Sequence, residues 1–564
     1  MKQISFKNVN KRLNISQTAS LSAKFGSFML CCLFPLIKAQ AISLDNTDKK
    51  QPNIVVIMSD DHATNAISAY GGRLKDVFKT PNIDRIANSG VRLNGLYASN
   101  AICTPSRATI LTGQYSHVNG IKTLGGVIDK KTPTLAHELQ SLGYQTAVIG
   151  KWHIKSEPYG FDYYNVLPGQ GDYYDPKFKE KGTPWQKGKA GGKKITGYVT
   201  DITTDLSLKW LDGRDKAKPF MLMLNNKAPH GPWTPAKRHL GQFDDVTIPE
   251  PESLLVRGNH GPGKEVVVDG IEGFQFGSSI SRRWEQRSYT RRSLYKGSKK
   301  KVTLSDGTVV KRPKELPELD AAALTEESKL AYQMYLKDYL GTVSAVDENV
   351  GRVLDYLEEN NLTDNTIIIY TSDQGMMLGE HDYGDKRWIY EESSRMPFVV
   401  SYPNVIKQNQ VIDKLYTNAD IAPTLLSFAG KETPSYMQGK SFAASLKSPK
   451  NAQGHDAIYY RYWLHMAHHY NPAHYGIRTE DYKLVFFYGL PIKAGSKKTP
   501  ATPPYWEMYD MKNDVLEMNN IYHDKKYHGI REQLKTQLLA LKEELGDTDE
   551  DNTALMAIRN KHWN

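Results

Sequence analysis

The chain has 564 residues, of which 39% are hydrophobic and 24% charged, and its formal net charge at pH 7 is +11. A mean hydropathy of −0.55 excludes a membrane protein with many spanning segments. At roughly 150 residues per domain, the length favours two or three domains with a large buried core.

The first 41 residues have the layout of a secretory signal peptide. They carry six Lys or Arg and no acid, with an apolar run over 28–37 followed by Ala39-Gln40-Ala41. The run is too short for a spanning helix, which needs about 20 apolar residues. We therefore expect cleavage after Ala41, no transmembrane segment, and export to the periplasm or the medium. Cleavage removes the six positive charges and leaves a net charge of +5, which gives no reason to expect nucleic-acid binding.

Cleavage would also remove Cys31 and Cys32, so that Cys103 is the one cysteine of the mature chain. A single cysteine excludes an internal disulfide and a multi-cysteine zinc site. Such a thiol is either buried and inert or used in chemistry, and its neighbours decide between the two.

Four short apolar runs, over 54–58, 146–149, 220–224 and 366–370, are continuous rather than alternating. Continuous runs of this length are typical of buried strands in a parallel sheet. Polar residues follow each run at once, in this order: Asp60 and Asp61, Lys151 and His153, residues 225–230, and Asp373 and Gln374. Ligands in open α/β sheets bind beyond the carboxyl ends of the strands, so we expect these four clusters to meet at one site.

Helical patterns alternate with these strands. Apolar residues recur at steps of three and four from Val343 to Leu357, and helices are also predicted over 81–89 and 134–142. The alternation predicts an α/β fold with a mostly parallel sheet and helices on both faces.

A smaller α+β subdomain is predicted toward the C-terminus, with strands over 456–462, 475–477 and 483–487 and a helix over 530–545. The predicted organisation is a signal peptide (1–41), a catalytic domain (42–430) and this C-terminal subdomain (431–564). An insertion over about 240–320 is rich in Gly, Pro and charge, and within it 282–301 hold nine Lys or Arg and one acid. A solvated, mobile insertion and a face that binds a polyanion both fit this composition.

Cys103 is predicted to stand at the N-terminus of a helix. Thr104 is a candidate N-cap, Pro105 suits the first helical position, and Gly113 suits the C-terminal cap. The helix dipole and the free N–H groups at such a position favour negative charge. An ordinary thiolate nucleophile would fit this position.

From Cys103 to Arg107 the chain reads Cys-Thr-Pro-Ser-Arg, and Ala-Thr-Ile-Leu-Thr-Gly follows. This segment resembles the signature of the formylglycine-dependent, or type I, sulfatases of the alkaline phosphatase superfamily. The resemblance runs from about residue 51 to the 520s and includes the blocks 60–61, 150–153, 229–230, 372–375, 385–387, 396–397, 508–510 and 517–520. Residues 384–392 are similar to bacterial polysaccharide-degrading members. The resemblance implies an alkaline-phosphatase-like, mixed and mostly parallel sheet flanked by helices.

In that family a maturation enzyme oxidises the cysteine to formylglycine (3-oxoalanine), and the hydrated aldehyde attacks sulfur. The resemblance implies a Ca²⁺ ion whose ligands are Asp60, Asp61, Asp373, Gln374 and the oxidised Cys103. Oxygen donors suit this hard cation, which normally takes about 6 to 8 of them. The family residue at the position of Gln374 is more usually Asn, and Gln keeps the carbonyl oxygen on a longer arm.

The resemblance also implies that Arg107 and Lys151 hold the hydrate and the sulfate, while Lys386 and His230 contact sulfate oxygens. His153 would exchange a proton with the nucleophile, and His230 would give one to the departing alcohol. The chemistry needs fixed positive charge, because an anionic ester enters beside a nucleophile that is becoming an oxyanion.

An aromatic and histidine-rich segment lies in the C-terminal subdomain, with Arg461, His465, His468 and Tyr470 as candidate substrate-binding residues. Histidine-rich tracts bind transition metals, but interleaved Tyr, Trp and Arg fit the stacking of sugar rings and the pairing of sulfate as well. We predict a substrate subsite here.

The predicted function is hydrolysis of sulfate esters on a carbohydrate, such as an oligosaccharide of ulvan, carrageenan or a glycosaminoglycan. Two alternatives stay open: a phosphonate or phosphate-ester hydrolase of the same superfamily, and a catalytically silent sugar-binding homologue. A binding module has no need for a full catalytic set, which argues against the silent homologue. That set comprises Cys103, Arg107, Lys151, His153, His230 and Lys386.

Overall fold

The structure is a computed structural model that describes residues 50–254 without 187, residues 256, 258–260, 301–303 and 309–311, and residues 321–467, 471–492 and 501–563. The predicted signal peptide, residues 282–300 of the basic stretch, His468 and Tyr470 lie outside the described residues. Lys50–Asn564 form one compact unit. None of the described helices has the length and the apolar composition that a membrane-spanning segment requires.

The strands of the described part, in chain order, are β1 (Asn53–Ser59), β2 (Val91–Leu93), β3 (Leu96–Tyr97), β4 (Gln145–Lys151), β5 (Tyr163–Leu167), β6 (Lys177–Glu180), β7 (Lys193–Lys194), β8 (Phe220–Asn225), β9 (Lys301–Thr303), β10 (Val309–Lys311), β11 (Thr366–Ser372), β12 (Phe398–Ser401), β13 (Gln410–Ile412), β14 (Tyr416–Thr417), β15 (Ala457–Tyr462), β16 (His474–Thr479), β17 (Tyr482–Phe487) and β18 (Tyr505–Asp510). The α-helices are α1 (Pro81–Asn88), α2 (Cys103–Thr112), α3 (Ser116–Asn119), α4 (Leu135–Gln140), α5 (Val199–Gly213), α6 (Ala321–Glu359), α7 (Glu391–Ser394), α8 (Ile421–Phe428), α9 (Ala443–Lys447), α10 (His528–Leu545) and α11 (Thr553–His562). The four predicted core strands and the predicted helices are confirmed.

Ten strands form one large sheet in the order β13-β2-β12-β11-β1-β8-β4-β5-β6-β7. The five central strands, from β11 to β5, run parallel, whereas β12 and β6 pair with their neighbours in the antiparallel sense. The predicted mixed, mostly parallel sheet is therefore confirmed. In the register of β1 and β11, Ser59 lies opposite Ser372, so the residues that follow both strands emerge at the same edge.

Both faces of the sheet are buried, because alternate residues of β1 serve two different cores. Ile54 and Val56 belong to a core that includes α2, α4 and α8, and Val55 and Ile57 to a core that includes α1, α5 and α6. A strand buried on both faces has no polar side, which explains why these runs are continuous in the sequence.

The C-terminal region forms a separate four-stranded antiparallel sheet, β15 to β18. Leu534 and Leu538 of α10 pack on one face of this sheet, and Tyr462 and Phe487 on the other face join the core of the large sheet. The predicted strands and terminal helix are confirmed, while the domain boundary at residue 430 stays a prediction.

Candidate active site

The four polar clusters predicted at the strand ends come together, because β11, β1, β8 and β4 are neighbours in the large sheet. Backbone hydrogen bonds tie the segments after these strands to one another. The Asp373 N–H donates to Ser59 O (3.2 Å), and the Asp60 N–H donates to Ala228 O (3.3 Å). The predicted convergence at one edge of the sheet is confirmed.

Three buried carboxylates lie at the centre of this edge. Oxygens of Asp60, Asp61 and Asp373 are within 4.8 Å of one another. The Gln374 amide donates to Asp61, which leaves Gln374 Oε1 buried without a hydrogen-bond partner, and Asp60 Oδ1 also has none. Buried oxygens without donors suit a metal ion, and a set of oxygen donors suits Ca²⁺ better than Zn²⁺. These four residues fit the predicted calcium site.

Three buried cations each touch one of these carboxylates. The pairs are Lys151 Nζ with Asp60 Oδ2, Arg107 Nε with Asp373 Oδ2 (2.8 Å), and Lys386 Nζ with Asp61 Oδ2 (2.5 Å). Burial raises the pKa of Asp61 to about 6 against the lowering effect of Lys386. The carboxylates thus hold the cations in place, and the cations in turn favour the ionised carboxylates.

The backbone at the site is held in conformations that few residues adopt. Asp61 (φ 66°), His153 (φ 54°) and Arg387 (φ 93°) all have positive φ. Gly150 has φ +98°, and a Cβ at this position would lie 2.1 Å from Asn225 O. Only glycine therefore lets β4 approach β8 closely enough here. Strain of this kind is maintained where it positions functional side chains.

Cys103 begins α2, and the predicted place at a helix N-terminus is confirmed. The N-cap is Ile102, however, so the prediction of Thr104 as the cap was wrong: its hydroxyl donates to His153 O (2.8 Å) and ties the helix to the segment after β4. The predicted cap Gly113 is confirmed, with φ 64°. Burial raises the pKa of Cys103 well above its ordinary value, so protein groups alone keep the thiol protonated and do not support a thiolate nucleophile.

His230 lies close to Cys103. A ring nitrogen of His230, Cys103 Sγ and a carboxylate oxygen of Asp60 are within 4.8 Å of one another. His230 Nδ1 lies 2.6 Å from Gly231 O, an acceptor, so Nδ1 carries the proton and Nε2 is the atom that can gain or lose one. Nε2 faces Asp61 Oδ2 at 3.7 Å.

Both histidines are neutral at pH 7 in this environment. Burial, followed by the charge of Lys151, lowers the pKa of His153 and of His230 well below the ordinary value. A neutral imidazole can accept a proton from a nucleophile or, once protonated, pass one to a leaving group.

The predicted substrate residues of the C-terminal region are placed differently. Arg461 is buried, and its Nη1 donates to Asp547 (2.5 Å) and Asp549 (2.6 Å), which accounts for its charge without a ligand. His465 is buried, and its Nδ1 accepts from the Ala473 N–H (3.1 Å). The subsite stays a prediction, since His468 and Tyr470 lie outside the described residues.

Lys227 and Gln170 also belong to the site, although sequence reasoning did not single them out. Lys227 is buried in the segment after β8, and Gln170 accepts a hydrogen bond from Lys151 Nζ. Lys227 could have been predicted as a site residue, because it lies three residues before His230 in the polar segment 225–230 that follows a predicted strand. Gln170 follows β5, whose apolar run is too short to stand out.

Sequence comparisons relate the chain to known sulfatases. The family model described as Sulfatase matches residues 52–431, and the one described as N-sulphoglucosamine sulphohydrolase, C-terminal, matches residues 379–544. The chain is 41% identical over 556 residues to an N-acetylglucosamine-6-O-sulfatase of Bacteroides thetaiotaomicron, a match that covers 95% of the chain and 94% of the relative.

Solved structures give the same result. One described as a complex with its substrate D-glucosamine-2-N,6-O-disulfate is 40% identical, with a TM-score of 0.75, and covers 89% of the chain and 100% of that structure. A phosphonate monoester hydrolase of Agrobacterium radiobacter, at 19% identity and a TM-score of 0.64, covers 88% of the chain and 96% of that structure. At that identity the second likeness shows a shared fold.

Proposed function

Because the chain belongs to the sulfatase family, as a type I sulfatase that resembles bacterial polysaccharide sulfatases, we propose that it removes the 6-O-sulfate from glucosamine residues of a sulfated saccharide. It is a sulfuric ester hydrolase that acts on a sulfated carbohydrate. The observation that carries the sugar assignment is 41% identity over almost the whole chain to an N-acetylglucosamine-6-O-sulfatase. The relative solved with D-glucosamine-2-N,6-O-disulfate supports it. This support favours a glycosaminoglycan source over ulvan or carrageenan.

The proposed nucleophile is formylglycine made from Cys103, which supplies a hydrated aldehyde oxygen for attack on sulfur. The buried thiol has a raised pKa and is a poor nucleophile by itself, which supports a role as precursor. Arg107, Lys151 and Lys386 are fixed by carboxylates before the substrate arrives, so they stabilise negative charge on the sulfate without reorganising.

The two histidines divide the proton transfers. His230 Nε2, the exchangeable nitrogen, would protonate the departing sugar oxygen from the doubly protonated imidazolium, a form that the negative charge of the bound sulfate ester favours, and would be left neutral. His153 would accept the proton of the nucleophile. Asp60, Asp61, Asp373 and Gln374 would hold Ca²⁺, which adds positive charge beside residue 103.

A set of defined substrates tests the sugar assignment. Sulfate release is measured from 6-O-sulfated N-acetylglucosamine, from its 3-O-sulfated isomer and from 6-O-sulfated galactose. We expect kcat/KM for the first to exceed that for the other two by at least about tenfold, since the sugar hydroxyls contribute to binding. Equal rates on all three would refute the assignment.

The two alternatives are tested on the same preparation. Faster turnover of p-nitrophenyl phosphate than of p-nitrophenyl sulfate would favour a phosphate-ester hydrolase. Mass spectrometry of the peptide around residue 103 measures the formylglycine content and hence the action of a maturation enzyme. Fully modified protein without turnover on any ester would favour a silent binding protein.

We also propose export through the N-terminal segment, with cleavage after Ala41. Support comes from the basic start, the short apolar run and the Ala-Gln-Ala sequence. N-terminal sequencing of the protein from the periplasm or the medium should begin at Ile42. A start at Met1 in an exported fraction would exclude cleavage.

A further inference from the structure

Lys227 differs from the other cations of the active site. The residue is 1% exposed, and its Nζ lies 4.8 Å from the ring centroid of Tyr173 and 3.4 Å from Gly231 O. Within the part of the chain that the structure describes, no carboxylate lies within 4.0 Å of this ammonium group. Among the described residues, Lys227 is therefore a buried cation without an ion-pair contact, and Asp172 and Asp61 attract it only from a greater distance.

A buried charge of this kind is costly in the protein alone. Removal from water destabilises the charged ammonium group. The contact with the Tyr173 ring and the long hydrogen bond to Gly231 O offset only a small part of this loss of hydration free energy. Burial correspondingly lowers the pKa of Lys227 to about 8. Burial lowers the pKa of Lys151 as well, but Lys151 and Lys386 differ from Lys227 in that each contacts an aspartate.

The backbone on both sides of Lys227 is hydrogen-bonded to the end of β1, next to the active site. The Asn226 N–H donates to Met58 O (2.8 Å), and Ala228 O accepts from the Asp60 N–H (3.3 Å), so both neighbours of Lys227 are fixed to the end of β1. These bonds hold the backbone of Lys227 beside the carboxyl end of β1.

The charge of Lys227 acts on several groups of the site. Those that interact with it electrostatically are Asp61, Cys103, Lys151, His153, Asp172, His230 and Lys386. Arg107, Lys151 and Lys386 each contact a carboxylate. The largest attraction on Lys227 comes from Asp172, with which it forms no ion pair among the described residues, so its ammonium group is the site cation without such a contact.

We propose that Lys227 is a substrate-binding residue whose ammonium group pairs with an anionic oxygen of the sulfate ester beside His230. The proposal rests on sulfate-ester hydrolysis at this site and is independent of which sugar carries the sulfate. The sulfate would provide the anionic partner that Lys227 lacks in the free protein. No existing ion pair has to be broken when this interaction forms, so it adds to the free energy of substrate binding.

Lys227→Met tests the proposal, because methionine keeps the apolar stem and removes the charge. The matched control is Lys209→Met, at an exposed lysine of α5. Both variants and the wild type are prepared with equal formylglycine content and assayed on p-nitrophenyl sulfate, with inorganic sulfate as a competitive inhibitor. We expect kcat/KM to fall and the Ki of sulfate to rise by about tenfold to a hundredfold in Lys227→Met, the range for a lost charge-assisted hydrogen bond, and no change in the control.

A residue that only supports the fold would not move the pH dependence of sulfate binding. In the wild type, the Ki of sulfate should rise about tenfold per pH unit above pH 8 as Lys227 loses its proton, and Lys227→Met should lack this limb. Burial lowers the pKa of Lys151 as well, so the limb is assigned with Lys227→Arg, which keeps its charge over this pH range and should bind sulfate without the limb even if Lys227→Met fails to fold.

The outcomes separate this proposal from the sugar assignment. Hydrolysis of the aryl ester without activity on 6-O-sulfated N-acetylglucosamine would refute the sugar assignment, and Lys227 would still be tested on the aryl ester. If neither ester is cleaved, calorimetric binding of inorganic sulfate to both proteins gives the comparison. A folded Lys227→Met protein with the kcat/KM and sulfate affinity of the wild type would overturn the proposal.

Discussion

Replacement of Arg461 by methionine is expected to destabilise the protein rather than to alter substrate choice. The guanidinium group is buried between Asp547 and Asp549, and it stacks on Trp463 with 3.5 Å from its central carbon to the ring centroid. In Arg461→Met the nearest cation left to the two carboxylates is Lys542. Its Nζ lies 3.0 Å from Asp549 Oδ2. Breaking a buried pair by removal of one partner costs about 3–5 kcal/mol, because the other charge stays buried.

The destabilisation of Arg461→Met should decrease as the pH falls. Burial tends to raise the pKa of Asp547, but Arg461 and Lys542 outweigh it and hold this pKa well below its ordinary value. A carboxyl group whose pKa is lowered by folding stabilises the protein above its unfolded pKa, about 4, and the contribution is lost as the pH falls further. The difference in stability between wild type and variant should therefore be largest near pH 7 and shrink below about pH 4.

Thermal unfolding and kinetics together test this interpretation. The unfolding midpoint of Arg461→Met should fall at pH 7, and kcat/KM should fall by the same factor on p-nitrophenyl sulfate and on the sulfated saccharide. Lys440→Met, which removes an exposed ion pair with Glu544, is the matched control and should change stability by less than about 1 kcal/mol. An unchanged midpoint with a loss confined to the saccharide would refute the structural role and support the subsite predicted from the sequence.

Three further predictions concern the nucleophile, the metal and the backbone. Cys103→Ala should abolish turnover yet leave the unfolding midpoint nearly unchanged, and wild-type activity in this variant would exclude the formylglycine mechanism. Chelation of divalent ions should remove activity on p-nitrophenyl sulfate, and Ca²⁺ should restore it better than Zn²⁺; rescue by zinc alone would contradict the oxygen-ligand site. Gly150→Ala should lower kcat/KM by at least about tenfold, because a Cβ would lie 2.1 Å from Asn225 O and displace Lys151. Full activity of this variant would show that β4 can shift without displacing Lys151 from its catalytic position.

The sequence alone predicts the central sheet and most of the active site, for a local reason. Strands buried on both faces must be continuous apolar runs, and the polar residues directly after them must emerge at one edge when the strands are parallel. Asp60, Lys151, His230 and Asp373 follow such runs, so their convergence was predictable without knowledge of any contact. The place of Cys103 at a helix start was predictable from its neighbours, whereas its role as the precursor of the nucleophile was implied by the resemblance to the sulfatases.

The ion pairs, by contrast, were decided by tertiary structure. The sequence around Arg461 suggests a surface for sugars, but its partners Asp547 and Asp549 lie more than eighty residues away, beyond α10. No pattern near Arg461 predicts that folding will bury its charge against them. Lys227 is the opposite case, since only the folded environment shows that this lysine contacts a tyrosine ring and a carbonyl oxygen but, among the described residues, forms no ion pair. Local sequence fixes where side chains leave the sheet, whereas the pairing of charges depends on which distant segments pack there and how much water they exclude.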